Sequence, residues 1–72
     1  MDRAALRQQL AEAELLLHRD EQEIERQREA VQALERAGED AADARLRLRR
    51  LESRQALHIV SRNKLFSELT SP

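Results

Sequence analysis

The chain has 72 residues, of which 38% are charged and 40% hydrophobic, and its formal net charge at pH 7 is −1. The absence of cysteine excludes disulfides and thiolate metal sites, and a core of this size stabilises a lone chain only marginally. No apolar run exceeds the three residues seen at Leu15-Leu16-Leu17, and the N-terminus shows no basic-then-apolar signal. We therefore expect a soluble cytoplasmic protein without a membrane partner.

The first half of the chain carries the pattern of one amphipathic helix. Apolar residues recur at alternating spacings of three and four, as in a coiled-coil seam, at Leu6, Leu10, Ala13, Leu17, Ile24, Val31 and Leu34. Asp20 and Gln27 fill the two remaining seam positions. Asp2 is suited to capping the first free N–H groups, and Gly38 is suited to a left-handed stop. The pattern predicts a helix over residues 2–37.

A second helix is predicted over residues 40–69, after a turn at residues 38–39. Asp40 is a good N-cap, and Asp43 lies three residues on, where an acid favours the positive helix end. The seam of this helix reads Ala44, Leu48, Leu51, Gln55, His58, Arg62, Leu65 and Leu69. So short a turn makes the helices antiparallel. We predict an all-α fold in which residues 1–72 form a single coiled-coil-like two-helix hairpin.

Folding the chain back at this turn pairs seam positions and places Asp20 opposite His58. This buried polar pair could supply metal ligands or a proton-transfer pair, but only two candidate ligands converge. We favour the interpretation that the pair fixes the register of the helices at some cost in stability. Alanines gather near the turn, so we expect most of the bulky core at the open end of the hairpin.

The two helices differ in charge. Residues 1–39 carry six basic and ten acidic groups, net −4, and residues 40–72 carry seven basic and four acidic groups, net +3. Opposite helix charges favour contact between the first and second helix, within one chain or between chains.

Nothing in the chain resembles catalytic machinery. It has no cysteine or tyrosine nucleophile and no glycine-rich phosphate loop, and its serines have no candidate base beside them in sequence. The Glu-x-x-His motif of bundle metal sites is absent as well. We expect no enzyme activity, no catalytic residue, no cofactor and no metal site.

A run of arginines in the second helix allows an alternative function. These residues are Arg45, Arg47, Arg49, Arg50 and Arg54. On a helix they point in several directions, the net charge is slightly acidic, and no aromatic platform for base stacking exists. We favour a solvated face over nucleic-acid binding. The alternative is a small RNA-binding helical hairpin dimer that uses these basic residues.

Two sets of apolar residues lie outside the seam. One two-helix seam leaves Leu16, Ile59 and Phe66 half covered, so we expect them to drive self-association into a homodimeric four-helix bundle, with parallel and antiparallel dimers both left open. A second set lies nearly opposite the seam and is interpreted as a face for an unknown protein partner: Leu15, Leu46, Leu57 and Val60. The expected function is a non-enzymatic helical interaction module.

Several segments also resemble a known group of proteins. They are Glu25-Arg26-Gln27-Arg28-Glu29, Leu34-Glu35-Arg36-Ala37-Gly38-Glu39-Asp40, Leu51-Glu52, and Gln55-Ala56-Leu57-His58 with Arg62 and Leu65. In these segments the chain resembles a group of small uncharacterised alphaproteobacterial helical-hairpin proteins, over residues 20–69. The resemblance implies a bacterial origin and a hairpin fold, and it carries no activity.

Overall fold

Two long antiparallel helices make up the molecule. The computed structural model describes residues 2–72, in which α1 spans Arg3–Arg36 and α2 spans Ala42–Thr70. The helices pack against each other along their length and form a rod of 55 × 14 × 13 Å. The predicted all-α two-helix hairpin is confirmed.

The predicted caps of α1 are present at both ends. The Asp2 carboxylate accepts a hydrogen bond from the Ala4 N–H at 3.1 Å. At the other end Gly38 has a φ of 69°, and the Glu39 N–H bonds the Leu34 carbonyl at 2.9 Å. A second bond, from the Gly38 N–H to Glu35, completes a Schellman motif. The helix proper is one residue shorter at each end than predicted, because the capping residues lie outside it.

The connection between the helices is longer than the predicted turn at residues 38–39, and α2 begins at Ala42 instead of residue 40. The Schellman motif carries the chain past Glu39, and Ala41 is buried in a non-helical conformation before the helix starts. The prediction of Asp40 as the N-cap is wrong, because the N-cap is Ala41; the Asp40 carboxylate nevertheless accepts a hydrogen bond from the Ala42 N–H at 2.9 Å. At its other end α2 continues to Thr70, one residue beyond the predicted end.

Burial follows the predicted seam on both helices. The buried residues of α1 are Leu6, Ala13, Leu17, Asp20, Ile24 and Val31. Within the described chain α2 has no fully buried residue, and its half-buried residues are Ala44, Leu48, Leu51, Gln55, His58, Arg62, Leu65 and Leu69. Every one of these positions belongs to the predicted three-four repeat. The two helices therefore meet along the stripe that the sequence indicates.

The buried apolar residues are spread along the whole rod. Leu6, Ala13 and Leu17 lie in the open half, while Ile24, Val31 and Ala41 lie in the half nearer the turn. The expectation that the open end holds most of the core is wrong. Small side chains need less cover than large ones, and Val31 and Ala41 are covered as completely as the larger residues of the open end.

Candidate functional site

A buried polar cluster crosses the middle of the seam. The Asp20 side chain is only 2% exposed. The Nδ1 atom of His58 lies 2.5 Å from its Oδ2 atom, and the Arg54 Nε–H donates to its Oδ1 atom at 3.1 Å. An ionised Asp20 carboxylate accepts this hydrogen bond only from a protonated Nδ1 atom. The structure thus brings together the predicted pair of Asp20 and His58 and adds a cation.

Arg54 joins this cluster to the surface. Its guanidinium group donates to the Glu23 carboxylate at 3.0 Å as well as to Asp20. The hydrogen bond to Glu23, the bond to Asp20 and the negative charges of both carboxylates raise the pKa of Arg54, against a lowering by desolvation. Sequence reasoning did not assign Arg54 or Glu23 to the cluster. Spacing places both residues near the pair, since Arg54 precedes His58 by four residues and Glu23 follows Asp20 by three, but it does not specify that the Arg54 side chain reaches across to α1.

The cluster consists of one buried carboxylate whose hydrogen-bonding capacity is met by neighbouring side chains. Both oxygens of Asp20 have partners, one in His58 and the other in Arg54. No buried side-chain nitrogen or oxygen among residues 2–72 lacks a hydrogen-bond partner, and that part of the chain holds no group of three metal-ligating side chains. The arrangement favours the interpretation that the cluster aligns the two helices.

Ion pairs divide the remaining surface into two flanks on either side of the seam. The Glu35 flank carries the pairs Glu35–Arg45 at 4.0 Å and Arg28–Glu52 at 3.7 Å, and all four residues directly follow a seam position. The opposite side, here called the Glu23 flank, carries the Glu23–Arg54 pair at 3.0 Å, and these residues directly precede a seam position. Residues on the same helix at intervals of seven from these positions lie on the same flank.

The three residues expected to drive self-association do not share one flank. Ile59 and Phe66 directly follow seam residues, so they lie on the Glu35 flank, where Phe66 lines a shallow cavity with Glu14. Leu16 directly precedes the seam residue Leu17 and lies on the Glu23 flank. All three are exposed, Phe66 to 55%. A single contact surface can therefore include Ile59 and Phe66 but not Leu16.

The residues interpreted as a partner face are all exposed, and they too are split. Leu57 and Val60 are 69% and 65% exposed on the side of α2 that faces away from α1, and Leu46 lies nearer the turn on the same side. Leu15 is exposed on the far side of α1. Since the outer sides of two packed helices point in opposite directions, the apolar face on α2 does not continue to Leu15.

The arginines of α2 have different surroundings. Arg45 pairs with Glu35, and Arg54 is held by Asp20 and Glu23. Arg47 and Arg50 line a surface groove of about 420 Å³ on the Glu23 flank, whose other lining residues are Glu23, Gln27, Leu51 and Arg54. The run of basic residues in the sequence is therefore not one continuous basic face.

Comparison with known proteins adds no family to this description. No family model, no curated protein and no solved structure matches the chain. Neither helix among residues 2–72 has a stretch both long and apolar enough to cross a membrane. The structure therefore establishes a helical hairpin whose buried polar cluster is fully hydrogen-bonded and whose surface carries exposed apolar side chains.

Proposed function

We propose that this chain is a non-enzymatic helical interaction module that acts by self-association and by binding another protein. The observation that carries the proposal is the amount of apolar surface left uncovered by one seam. Seven large hydrophobic side chains are exposed on the described hairpin: Leu15, Leu16, Leu46, Leu57, Ile59, Val60 and Phe66. A packed pair of helices covers only one stripe of each, so further burial requires another chain.

The total surface supports the same proposal. The accessible surface is 5551 Å², whereas a compact monomer of 8.4 kDa exposes about 4600 Å². The excess of roughly 900 Å² is close to the area of about 800 Å² that each partner contributes to a stable protein interface. Covering one flank of the rod with a second copy would reduce the accessible surface area of this chain to about that of a compact monomer of the same mass.

The polar groups support a non-enzymatic function. Asp20 is the one charged residue that is buried in the described chain, and Arg54 and His58 occupy both of its oxygens. A general base or a nucleophile needs a free atom within reach of a substrate. In the proposed function these groups align the helices, and the exposed apolar residues make the contacts to other chains.

Two surfaces remain available for two kinds of contact. Ile59 and Phe66 lie beside the seam, where a second hairpin would extend the existing core, so we assign them to self-association. Leu57 and Val60 lie farther from the seam on α2. That outer side stays open after two hairpins pair through their flanks, and it is the surface we assign to an unidentified protein partner.

Sedimentation equilibrium and thermal unfolding test self-association. We expect twice the chain mass of 8.4 kDa at high concentration and a melting temperature that rises with protein concentration, because unfolding is then coupled to dissociation. Phe66→Ser should give a monomer whose melting temperature is independent of concentration. A wild-type chain that stays a stable, well-folded monomer at high concentration would overturn the proposal.

A second candidate function is RNA binding by a hairpin dimer. The observation that favours it is the groove on the Glu23 flank, where Arg47 and Arg50 have no acidic partner among the ion pairs of the described residues. Glu23 at the same groove and the net charge of −1 oppose the approach of a polyanion. We therefore rank this candidate second.

A further inference from the structure

Ile59 and Phe66 belong to a straight row of residues on the Glu35 flank of α2. The row continues toward the turn with Glu52 and Arg45, at intervals of seven residues, and the row beside it on α1 consists of Arg7, Glu14, Glu21, Arg28 and Glu35. Contacts align the two rows: Arg45 meets Glu35, Glu52 meets Arg28, and Phe66 shares a cavity with Glu14. By the same register, Ile59 lies level with Glu21.

We infer that a second copy of this chain covers the Glu35 flank with both turns at the same end of the dimer, around a two-fold axis parallel to the rods. This inference rests on the proposed self-association and specifies its geometry. Such an axis places α1 of each chain beside α2 of the other at the same level. Ile59 and Phe66 of both chains then lie next to the axis, in the centre of a four-helix bundle.

Charge complementarity supports this orientation. With the turns together, Glu35 lies level with Arg45 of the partner subunit, and Arg28 lies level with Glu52 of the partner subunit. The pairs at 4.0 and 3.7 Å within one chain are thereby repeated between chains. Glu14 and Glu21 lie on the same flank, level with Phe66 and Ile59, and their long side chains let the carboxylates extend past the apolar residues toward solvent.

The opposite orientation brings like charges together. If the turns pointed in opposite directions, the two-fold axis would cross the rods, and α1 would face α1. Burying Ile59 against Phe66 of the partner subunit then requires the axis to lie midway between them, level with the midpoint of Glu14 and Glu21. Each Glu14 would face a Glu21, and like-charged contacts of this kind oppose association.

The opposite orientation also shortens the interface. Its axis would lie level with the midpoint of Glu14 and Glu21, about 22 Å from the start of α1 at Arg3, so the two rods would overlap over roughly 44 Å of their 55 Å length. With the turns together the rods overlap over their full length. The same-end dimer therefore buries more surface and adds ion pairs at the turn half, where the flank is charged.

Distance measurement between spin labels tests the orientation. The chain has no cysteine, so a single Glu39→Cys substitution in the full chain labels the turn and nothing else. Side-by-side rods 13–14 Å thick with their turns together should give a label separation below about 30 Å, whereas turns at opposite ends should be more than about 45 Å apart. Dimers with the long separation would overturn this inference and leave the proposed self-association intact.

Matched serine variants test the flank. Ile59→Ser combined with Phe66→Ser should weaken dimerisation about 100-fold or more, because two apolar side chains of each chain, which are exposed in the lone hairpin, leave the centre of the bundle. Leu16→Ser removes a comparably exposed side chain from the Glu23 flank and should leave the dimer affinity unchanged. Circular dichroism at high concentration checks that each variant is helical. A dimer that survives the double substitution, or that dissociates with Leu16→Ser, would overturn the assignment, and a wild-type monomer would overturn the proposed function as well.

Discussion

At the scale of single residues, the hydrogen-bond partners of Asp20 explain how this small core tolerates a buried charge. The carboxylate is buried at a seam position, where a leucine would be ordinary, and it is held by His58 from within the seam and by Arg54 from the rim. A shifted register would separate Asp20 from one or both partners and leave a buried charge unpaired. We therefore expect the cluster to favour one alignment of the helices, with little net gain in stability.

Asymmetric substitutions in this cluster test its function. His58→Leu with Arg54→Leu should lower the free energy of unfolding by about 3–5 kcal/mol, because Asp20 then stays buried without a partner. Asp20→Leu should leave this free energy unchanged or raise it, since His58 and Arg54 reach solvent. Urea unfolding of both variants measures the difference. Equal destabilisation by the two changes would show that the cluster stabilises the fold directly instead of selecting its register.

At the scale of elements, the turn is the most strictly determined segment. Gly38 adopts a φ of 69°, which closes the Schellman motif at the end of α1 and reverses the chain. A Cβ atom added at this position would meet nothing within 4 Å. Any cost of a substitution there is consequently conformational, because L-residues other than asparagine and aspartate rarely adopt this φ.

Substitution of Gly38 isolates this conformational cost. Gly38→Ala should lower the free energy of unfolding by about 1–2 kcal/mol, and Gly38→Asn should cost less, because asparagine tolerates the left-handed region. Chemical denaturation at one protein concentration provides the comparison. If alanine were tolerated as well as asparagine, the turn would have to change its backbone conformation, and the hydrogen bond from Glu39 to Leu34 would be lost.

At the scale of the whole molecule, shape and charge determine which partners suit the hairpin. Its radius of gyration is 16.4 Å, compared with about 11 Å for a compact domain of this length. An elongated chain of two helices has long flanks and little interior. Its apolar residues outside the seam are therefore placed for contacts along the rod, as in a bundle of hairpins.

Salt dependence separates protein binding from the second candidate. We expect no submicromolar binding of structured RNA at physiological salt, because the net charge is −1 and the arginine groove includes a glutamate. An RNA site would lose affinity steeply as salt rises, through counterion release. Electrophoretic or fluorescence titration of wild type and of Arg47→Glu with Arg50→Glu gives the comparison. Tight, salt-sensitive binding that the variant abolishes would favour the RNA-binding function.

The sequence by itself determined the hairpin and its seam. Alternating three- and four-residue spacing selects one face of each helix, and Gly38 with Asp2 and Asp40 marks, to within two residues, where the helices start and stop. These signals are local, so they survive without knowledge of the packed structure. Pairing across the turn then followed from counting along the chain, and the contact between Asp20 and His58 agrees with that count.

Only the tertiary structure decided which residues share a surface outside the seam. Leu16, Ile59 and Phe66 all neighbour seam residues in sequence, but the contacts Glu35–Arg45 and Glu23–Arg54 across the helices define two separate flanks, with Leu16 on one and the other two residues on the opposite one. The inclusion of Arg54 in the buried cluster likewise depends on a long side chain reaching across to α1. Flank contacts of this kind depend on the relative rotation and closeness of the two helices, which heptad spacing alone does not specify.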